Sequence, residues 1–174
     1  ENDPSYLFDK AFSYNNSISV AKGNDVSSFR LSYQNVQGND ILPNTRLDKN
    51  SFTGNASYKI TDKLTASLYG TFVTQETRGK NPTGYHGMIG NFRQWWATNV
   101  DMKEQRDLYF LNGKNNSWNI MSPDNTAPLY WDNPYFRAYE NAISDSRDRF
   151  AGNFSLNYDV SDKINLMGRV SHDG

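Results

Sequence analysis

Over much of the chain hydrophobic and polar residues alternate with a period of two, the pattern of strands with one apolar and one polar face. Phe12, Tyr14, Ile18 and Val20 alternate with Ser13, Asn15, Ser17 and Ser19, and Phe29, Leu31 and Tyr33 alternate with Ser28, Arg30, Ser32 and Gln34. The same split runs through Phe52–Ile60, Leu64–Phe72, Phe150–Val160 and Ile164–Val170. It predicts six strands at about 12–22, 26–36, 51–60, 64–74, 147–160 and 164–172.

The phrase S-Y-K-I-T-D-K-L-T-A at 57–66 returns one hundred residues later as N-Y-D-V-S-D-K-I-N-L at 157–166. Each copy reads as a hairpin: a strand with Tyr near its end, a tight polar turn, and a strand leaving. Gly23-Asn24-Asp25 makes a third short turn. The connections 37–50 and 75–146 are long, so the turns predict one short-turn end and one long-loop end. Runs of about 9–11 residues suffice for tilted strands to cross a hydrocarbon layer, and this asymmetry of connections is that of outer-membrane barrels. Strands longer than the usual five or six residues favour that arrangement over a half-buried soluble sheet. Tyr14, Tyr33, Phe72 and Phe150 toward the long-loop end, with Tyr58 and Tyr158 before short turns, stand where two lipid-interface girdles would lie.

Composition narrows the picture. With 36% hydrophobic residues and a mean hydropathy of -0.81 over 174 residues, material for a soluble core is thin, while 14% aromatics suit β structure. A net charge of -1 without basic blocks gives nucleic acid no electrostatic footprint. No cysteine is present, which excludes disulfides, thiolate metal sites and a Cys nucleophile. His86 and His172 have no partners at metal or triad spacing, and the cluster Asp145, Arg147, Asp148, Arg149 reads as a solvated strand entrance. No catalytic residue, cofactor or metal ligand is expected, and the chain does not read as an enzyme.

The connection 75–146 is too long for an ordinary loop and holds all four tryptophans, Trp95, Trp96, Trp118 and Trp131. It is expected to fold. Met88, Ile89, Phe92, Trp95 and Trp96 recur at helical spacing, Asp101 and Glu104 form a capping-box pattern opening a helix toward Tyr109, and Asn112-Gly113 turns the chain. Pro123-Asp124-Asn125 and the run 131–136 read as extended or turned, because a proline biases its predecessor away from helix. Trp118, Trp131 and Tyr135 lie outside both proposed helices and are the candidates for contacting a substrate or a covering partner, against the plainer reading that they pack the loop itself.

The phrases N-N-S-I-S-V-A-K-G-N-D-V-S-S-F-R-L-S-Y, L-P-N-T-R-L-D-K-N-S-F, Y-K-I-T-D-K-L, N-F-R-Q-W-W-A-T-N-V-D-M-K, W-D-N-P-Y-F and R-D-R-F-A-G-N-F-S-L-N-Y, in this order, resemble the SusC/RagA family of TonB-dependent outer-membrane transporters. The resemblance spans nearly the whole chain. It implies an all-β fold, an antiparallel transmembrane segment of about six strands from a 22-stranded barrel, with one long, partly helical extracellular loop and with the plug and TonB-contacting sequence outside residues 1–174. It also implies a multi-pass protein of a Gram-negative outer membrane that imports oligosaccharides or peptides. TonB would supply the energy, and a SusD-like surface lipoprotein would form a lid. The alternative is a secreted or surface β-rich adhesin or carbohydrate-binding module.

Overall fold

The computed structural model describes residues 2–82, 84, 87–94 and 96–174. A short 3-10 turn at Pro4–Leu7 precedes strands β1 (Phe12–Gly23), β2 (Ser27–Asn39), β3 (Arg46–Thr61) and β4 (Leu64–Lys80). Helices α1 (Met88–Gln94) and α2 (Met102–Asn112), strands β5 (Ile120–Ser122) and β6 (Asn125–Pro128) and helix α3 (Pro134–Glu140) follow. Strands β7 (Ile143–Ser161) and β8 (Ile164–Asp173) close the chain. The six long strands make one antiparallel sheet in the order β1-β2-β3-β4-β7-β8, which does not close on itself, and β5 and β6 form a separate hairpin.

Two units emerge from the contacts: residues 1–13, 38–47 and 77–145, and residues 14–37, 48–76 and 146–174. The second unit is sheet. Its tight turns share a construction, because at each a polar side chain takes over backbone hydrogen bonds that a sharp reversal leaves open. Asn24 Oδ1 accepts from the Val26 and Ser27 amides, Thr61 Oγ1 from the Lys63 amide at 3.3 Å, and Ser161 Oγ from the Lys163 amide at 3.4 Å. The duplicated phrase is therefore the same hydroxyl-closed turn made twice. The Lys59 amide donates to Val26 O and the Asp159 amide to Lys63 O, so the three turns stand side by side at one end of the sheet.

The strands outrun the sequence reading. β2 continues to Asn39, β3 begins at Arg46, β4 reaches Lys80 and β7 begins at Ile143, leaving 40–45 and 81–142 as the long connections in place of 37–50 and 75–146. The cause is chemical: beyond the apolar stretch these strands carry polar residues on both faces, so periodicity fades while backbone pairing persists.

The first unit has its own core. Leu7, Leu42, Met88, Met102, Tyr109, Tyr135 and Ala138 are buried together, with Tyr6, Phe8, Phe92, Trp96, Phe136 and Tyr139 packed around them. α2 opens where the capping pattern places it: Asp101 Oδ1 accepts from the amides of Lys103 and Glu104, and Gly113 ends the helix at φ 67°, a left-handed position that glycine takes without strain. α1 covers Met88, Ile89 and Phe92 but stops before Trp96, while Trp95 and His86 lie outside the described residues. Pro123-Asp124 turns between β5 and β6. The run 131–136 departs from expectation, because Pro134 is the first residue of α3 rather than part of an extended segment. A proline at that position sacrifices no helical hydrogen bond, and Asn133 Oδ1 caps the helix by accepting from the Tyr135 and Phe136 amides.

Candidate functional site

In the sheet unit the alternation becomes two faces of opposite chemistry. Ile18, Val20, Leu31, Tyr33, Phe52, Phe72 and Phe150 line one open apolar depression of about 520 Å³. The other face carries hydroxyl and amide pairs: Gln34 donates to Asn15, Thr53 meets Thr71 at 3.1 Å, and Ser67 donates to Ser57 at 3.4 Å. Arg30, Asn55, Tyr69 and Asn153 share a depression with these serines.

The apolar face is a band of limited height. On β2 Tyr33 is followed on the same parity by Asn35 and Gln37, on β3 Phe52 is preceded by Asn50 and Asp48, on β4 Phe72 gives way to Thr74 and Glu76, and on β7 Phe150 is preceded by Asp148 and Ser146. At the boundary the Tyr33 ring packs on Phe52, centroids 4.7 Å apart, while its hydroxyl donates to Asn50 Oδ1 at 2.7 Å. Asn35 Nδ2 also reaches Asn50 and Asp48, and Gln37 Nε2 reaches Asp48. Tyr33 thus has an apolar body in the band and a polar tip in an amide-carboxylate cluster. Tyr14, Tyr58, Phe72, Phe150 and Tyr158 are all exposed on this face.

Of the residues singled out as contact candidates, Trp131 is 5% and Tyr135 4% exposed. Burial pushes the Tyr135 hydroxyl up to about 12. Trp118 is half-buried and meets Trp96 edge to face, centroids 5.5 Å apart. These three side chains pack the first unit. They are held by a network the sequence did not disclose, centred on Asn133, which is 0% exposed. Its Nδ2 donates to Gln105 O at 2.7 Å and Asn116 O at 3.0 Å, and its amide donates to Asn115 Oδ1 at 2.9 Å. The buried Ser117 hydroxyl donates to Trp131 O at 2.5 Å. The Tyr109 hydroxyl donates to Glu140 Oε1 at 2.8 Å, and burial, followed by that carboxylate, raises it to about 12.

What the first unit does present is a different aromatic. The Trp131 amide donates to Leu129 O at 2.7 Å, closing a three-residue turn whose central residue, Tyr130, has φ 63°. Tyr130 is 87% exposed, beside the buried Trp131. It lines a cavity of about 290 Å³ with Lys80, Asn81, Asp132, Arg137 and Asn141. Lys80 pairs with Asp145 at 2.7 Å. Desolvation lowers the Arg137 pKa, with Asp132 pulling the other way. No motif marks these residues. The one local signal was a tyrosine beside a buried tryptophan in a turn-rich run.

Among the described residues no group of three or more His, Asp or Glu is arranged to hold a metal, and no helix is long and apolar enough to cross a membrane. Neither a scan against protein-family models nor a search of curated proteins finds a match to the chain.

Proposed function

We propose that this chain is a section of a Gram-negative outer-membrane barrel of the SusC/RagA kind. Its banded apolar face would lie in lipid and its hydroxyl and amide face toward a hydrated lumen. The observation that carries this reading is the bounded height of the band. From Phe52 to Ile60 it runs about 26 Å along the strand, and from Phe150 to Val160 about 33 Å, at about 3.3 Å per residue. With strands tilted by about 40° these become roughly 20–25 Å, against a band of about 25 Å in such barrels. A face built for a soluble core has no reason to end in a row of aromatics followed by amides and carboxylates on the same strands. Tyr33, apolar in body and hydrogen-bonded at its tip, suits an interface in which one side is dry and the other wet.

On this reading the strands form part of a pore that imports oligosaccharides or peptides, energised by TonB through regions outside this chain and covered by a SusD-like lipoprotein. The connection 81–142 would face the cell exterior, since short turns face the periplasm in this architecture. The test is membrane placement of the full-length protein in its host. Extraction by detergent only, together with heat-modifiable migration on gels, is the expected result, whereas release into plain buffer would support a secreted adhesin or binding module instead. This chain lacks cysteine, so single cysteines placed in it, with any cysteine elsewhere in the full-length protein replaced by serine, give a second readout. Leu68 and Leu166 should react with lipid-phase reagents and Ser67 and Asn165 with water-soluble ones.

A further inference from the structure

The cavity beside Tyr130 lies within the first unit, between the strand ends at Lys80 and Ile143 and the edge of the core at Leu42, Met88 and Ala138. At about 290 Å³ it stands at the lower end of small-ligand sites, with room for one ring. Its polar lining is under-used. Among the described residues the Arg137 guanidinium has no hydrogen-bond acceptor, and the Asn141 side chain has no partner. Asn81 uses only its Oδ1, to hold the Met88 amide, and Asp132 uses only one oxygen, accepting from Asn115 Nδ2 at 2.7 Å. Arg137 and Asp132 are half-buried, so the valences they leave open cost free energy unless a ligand or water meets them, while Asn81 and Asn141 stand exposed at the rim.

The charges are balanced. Arg137 stands with Asp132, and Lys80 is neutralised by Asp145 at 2.7 Å, so the lining offers no net charge to attract an ion. It offers instead planar groups that donate and accept side by side, and such groups match adjacent hydroxyls, which each do both. Tyr130 adds a flat apolar surface. A ring 87% exposed on a turn at positive φ is an arrangement held at a cost, because the backbone there is strained for a bulky residue and the aromatic face gains nothing from water. The C–H face of a sugar ring is the partner that uses it.

We infer that this cavity binds one pyranose ring of an uncharged glycan, with Tyr130 stacked on the ring and Asp132, Arg137 and Asn141 hydrogen-bonded to its hydroxyls. The inference rests on the preceding reading only for the choice between oligosaccharide and peptide cargo. It selects the former.

The test is binding of the detergent-purified full-length protein to an immobilised array of neutral oligosaccharides, uronate-bearing oligosaccharides and tripeptides. Neutral glycans should give the signal. Tyr130→Ala should lower it about tenfold and Tyr130→Phe should keep it, since the stacking face survives. Arg137→Ala should also lower it, with the fluorescence of this chain's tryptophans, read with any tryptophan outside residues 1–174 replaced by phenylalanine, unchanged as evidence that the unit remains folded. Signal confined to uronates or peptides, no signal on any arm, or neutral-glycan binding indifferent to Tyr130→Ala would overturn the assignment. Gel heat-modifiability is blind to this site, so failure here leaves the membrane reading to its own test.

Discussion

The ring of Phe150 lies over Gly70 on the neighbouring strand, its Cε2 3.7 Å from where a β-carbon would stand, and its Cζ comes 3.3 Å from the same position on Gly152. One aromatic thus covers two glycines on paired strands, supplying the side-chain contact they lack. The glycines are not interchangeable, however. A β-carbon on Gly152 would stand 2.8 Å from Tyr69 O, whereas one on Gly168 meets nothing within 4 Å. Gly152→Ala should therefore cost about 1–3 kcal/mol through overpacking against backbone, and Gly168→Ala should be neutral or stabilise by up to about 1 kcal/mol. Thermal unfolding of the two variants checks the order, and equal midpoints would refute the close approach.

Sidedness gives a second expectation. Arg at Leu68, Phe154 or Leu166 should destabilise by about 2–4 kcal/mol if these positions face mid-membrane, and Arg at Ser67 or Asn165 much less. Ser155 shares the polar parity but is only 5% exposed, so Arg there is expected to fail for want of space and makes a poor control. Equal tolerance at both sets, measured by urea titration of the assembled protein in detergent, would sink the lipid-facing assignment.

Packing of the first unit predicts what happens to the buried aromatics. Trp131→Ala or Tyr135→Ala should cost about 3–5 kcal/mol, the usual range for emptying a large core site. All four tryptophans of this chain lie between residues 95 and 131, so with any tryptophan elsewhere in the full-length protein replaced by phenylalanine the fluorescence reports on this unit. Uptake should fall together with the unfolding midpoint that this fluorescence reports, a readout that survives the loss of one tryptophan in Trp131→Ala. Lost uptake with an unchanged midpoint would instead make these residues contact sites.

Asn133→Ala removes a helix cap and the side-chain donor shared by the carbonyls of Gln105, which keeps its helical bond within α2, and of the half-buried Asn116. About 1–3 kcal/mol is expected, from a cap of about 1 kcal/mol and the lost donor. Asn133→Asp keeps the cap but sets a buried carboxylate oxygen against those two carbonyls, and should be clearly less stable than the parent on the same fluorescence-monitored denaturation.

The two raised tyrosines make stability depend on alkaline pH. Both hydroxyls sit at about 12 when folded, against about 10 in an unfolded chain. Below about pH 10 their stabilising effect is complete. Between 10 and 12 the unfolded chain ionises first and holds fewer protons, so stability should fall by about 1.4 kcal/mol per pH unit per tyrosine. Tyr109→Phe should remove roughly half of that slope, and a pH-independent midpoint from 9 to 11 would contradict it.

The parts legible in the sequence were those governed by nearest neighbours. A period of two fixes which side chains share a face whatever lies beyond them, and Thr61-Asp62-Lys63 and Ser161-Asp162-Lys163 close their turns within three residues. Asp101 and Gly113 mark α2 for the same reason. Strand ends were not legible, because Asn35, Asp48 and Glu76 are polar on either parity and leave no alternation to follow. Pro134 defeats the extended reading because a residue that ends a preceding helix also suits the first position of the next, and Asn133 before it is the signal. Burial of Trp131 and Tyr135 arises in a core that gathers Leu7 and Leu42 from distant parts of the chain. Tyr130 is exposed through a local backbone turn that its own identity does not encode.

The unequal connections also set an order of assembly. β1 with β2, β3 with β4 and β7 with β8 pair across turns of two or three residues, so each hairpin forms at small entropic cost. β4 and β7 must instead meet across residues 81–142, and closing about 60 residues rather than two costs roughly 3 kcal/mol more in chain entropy. Folding of the first unit removes that burden in advance: Lys80 and Asp145, at the two ends of the connection, are joined in it by an ion pair at 2.7 Å. The loop unit is therefore a clamp in the kinetics of the sheet, and its core mutations should slow the joining of β4 to β7 before they touch any hairpin.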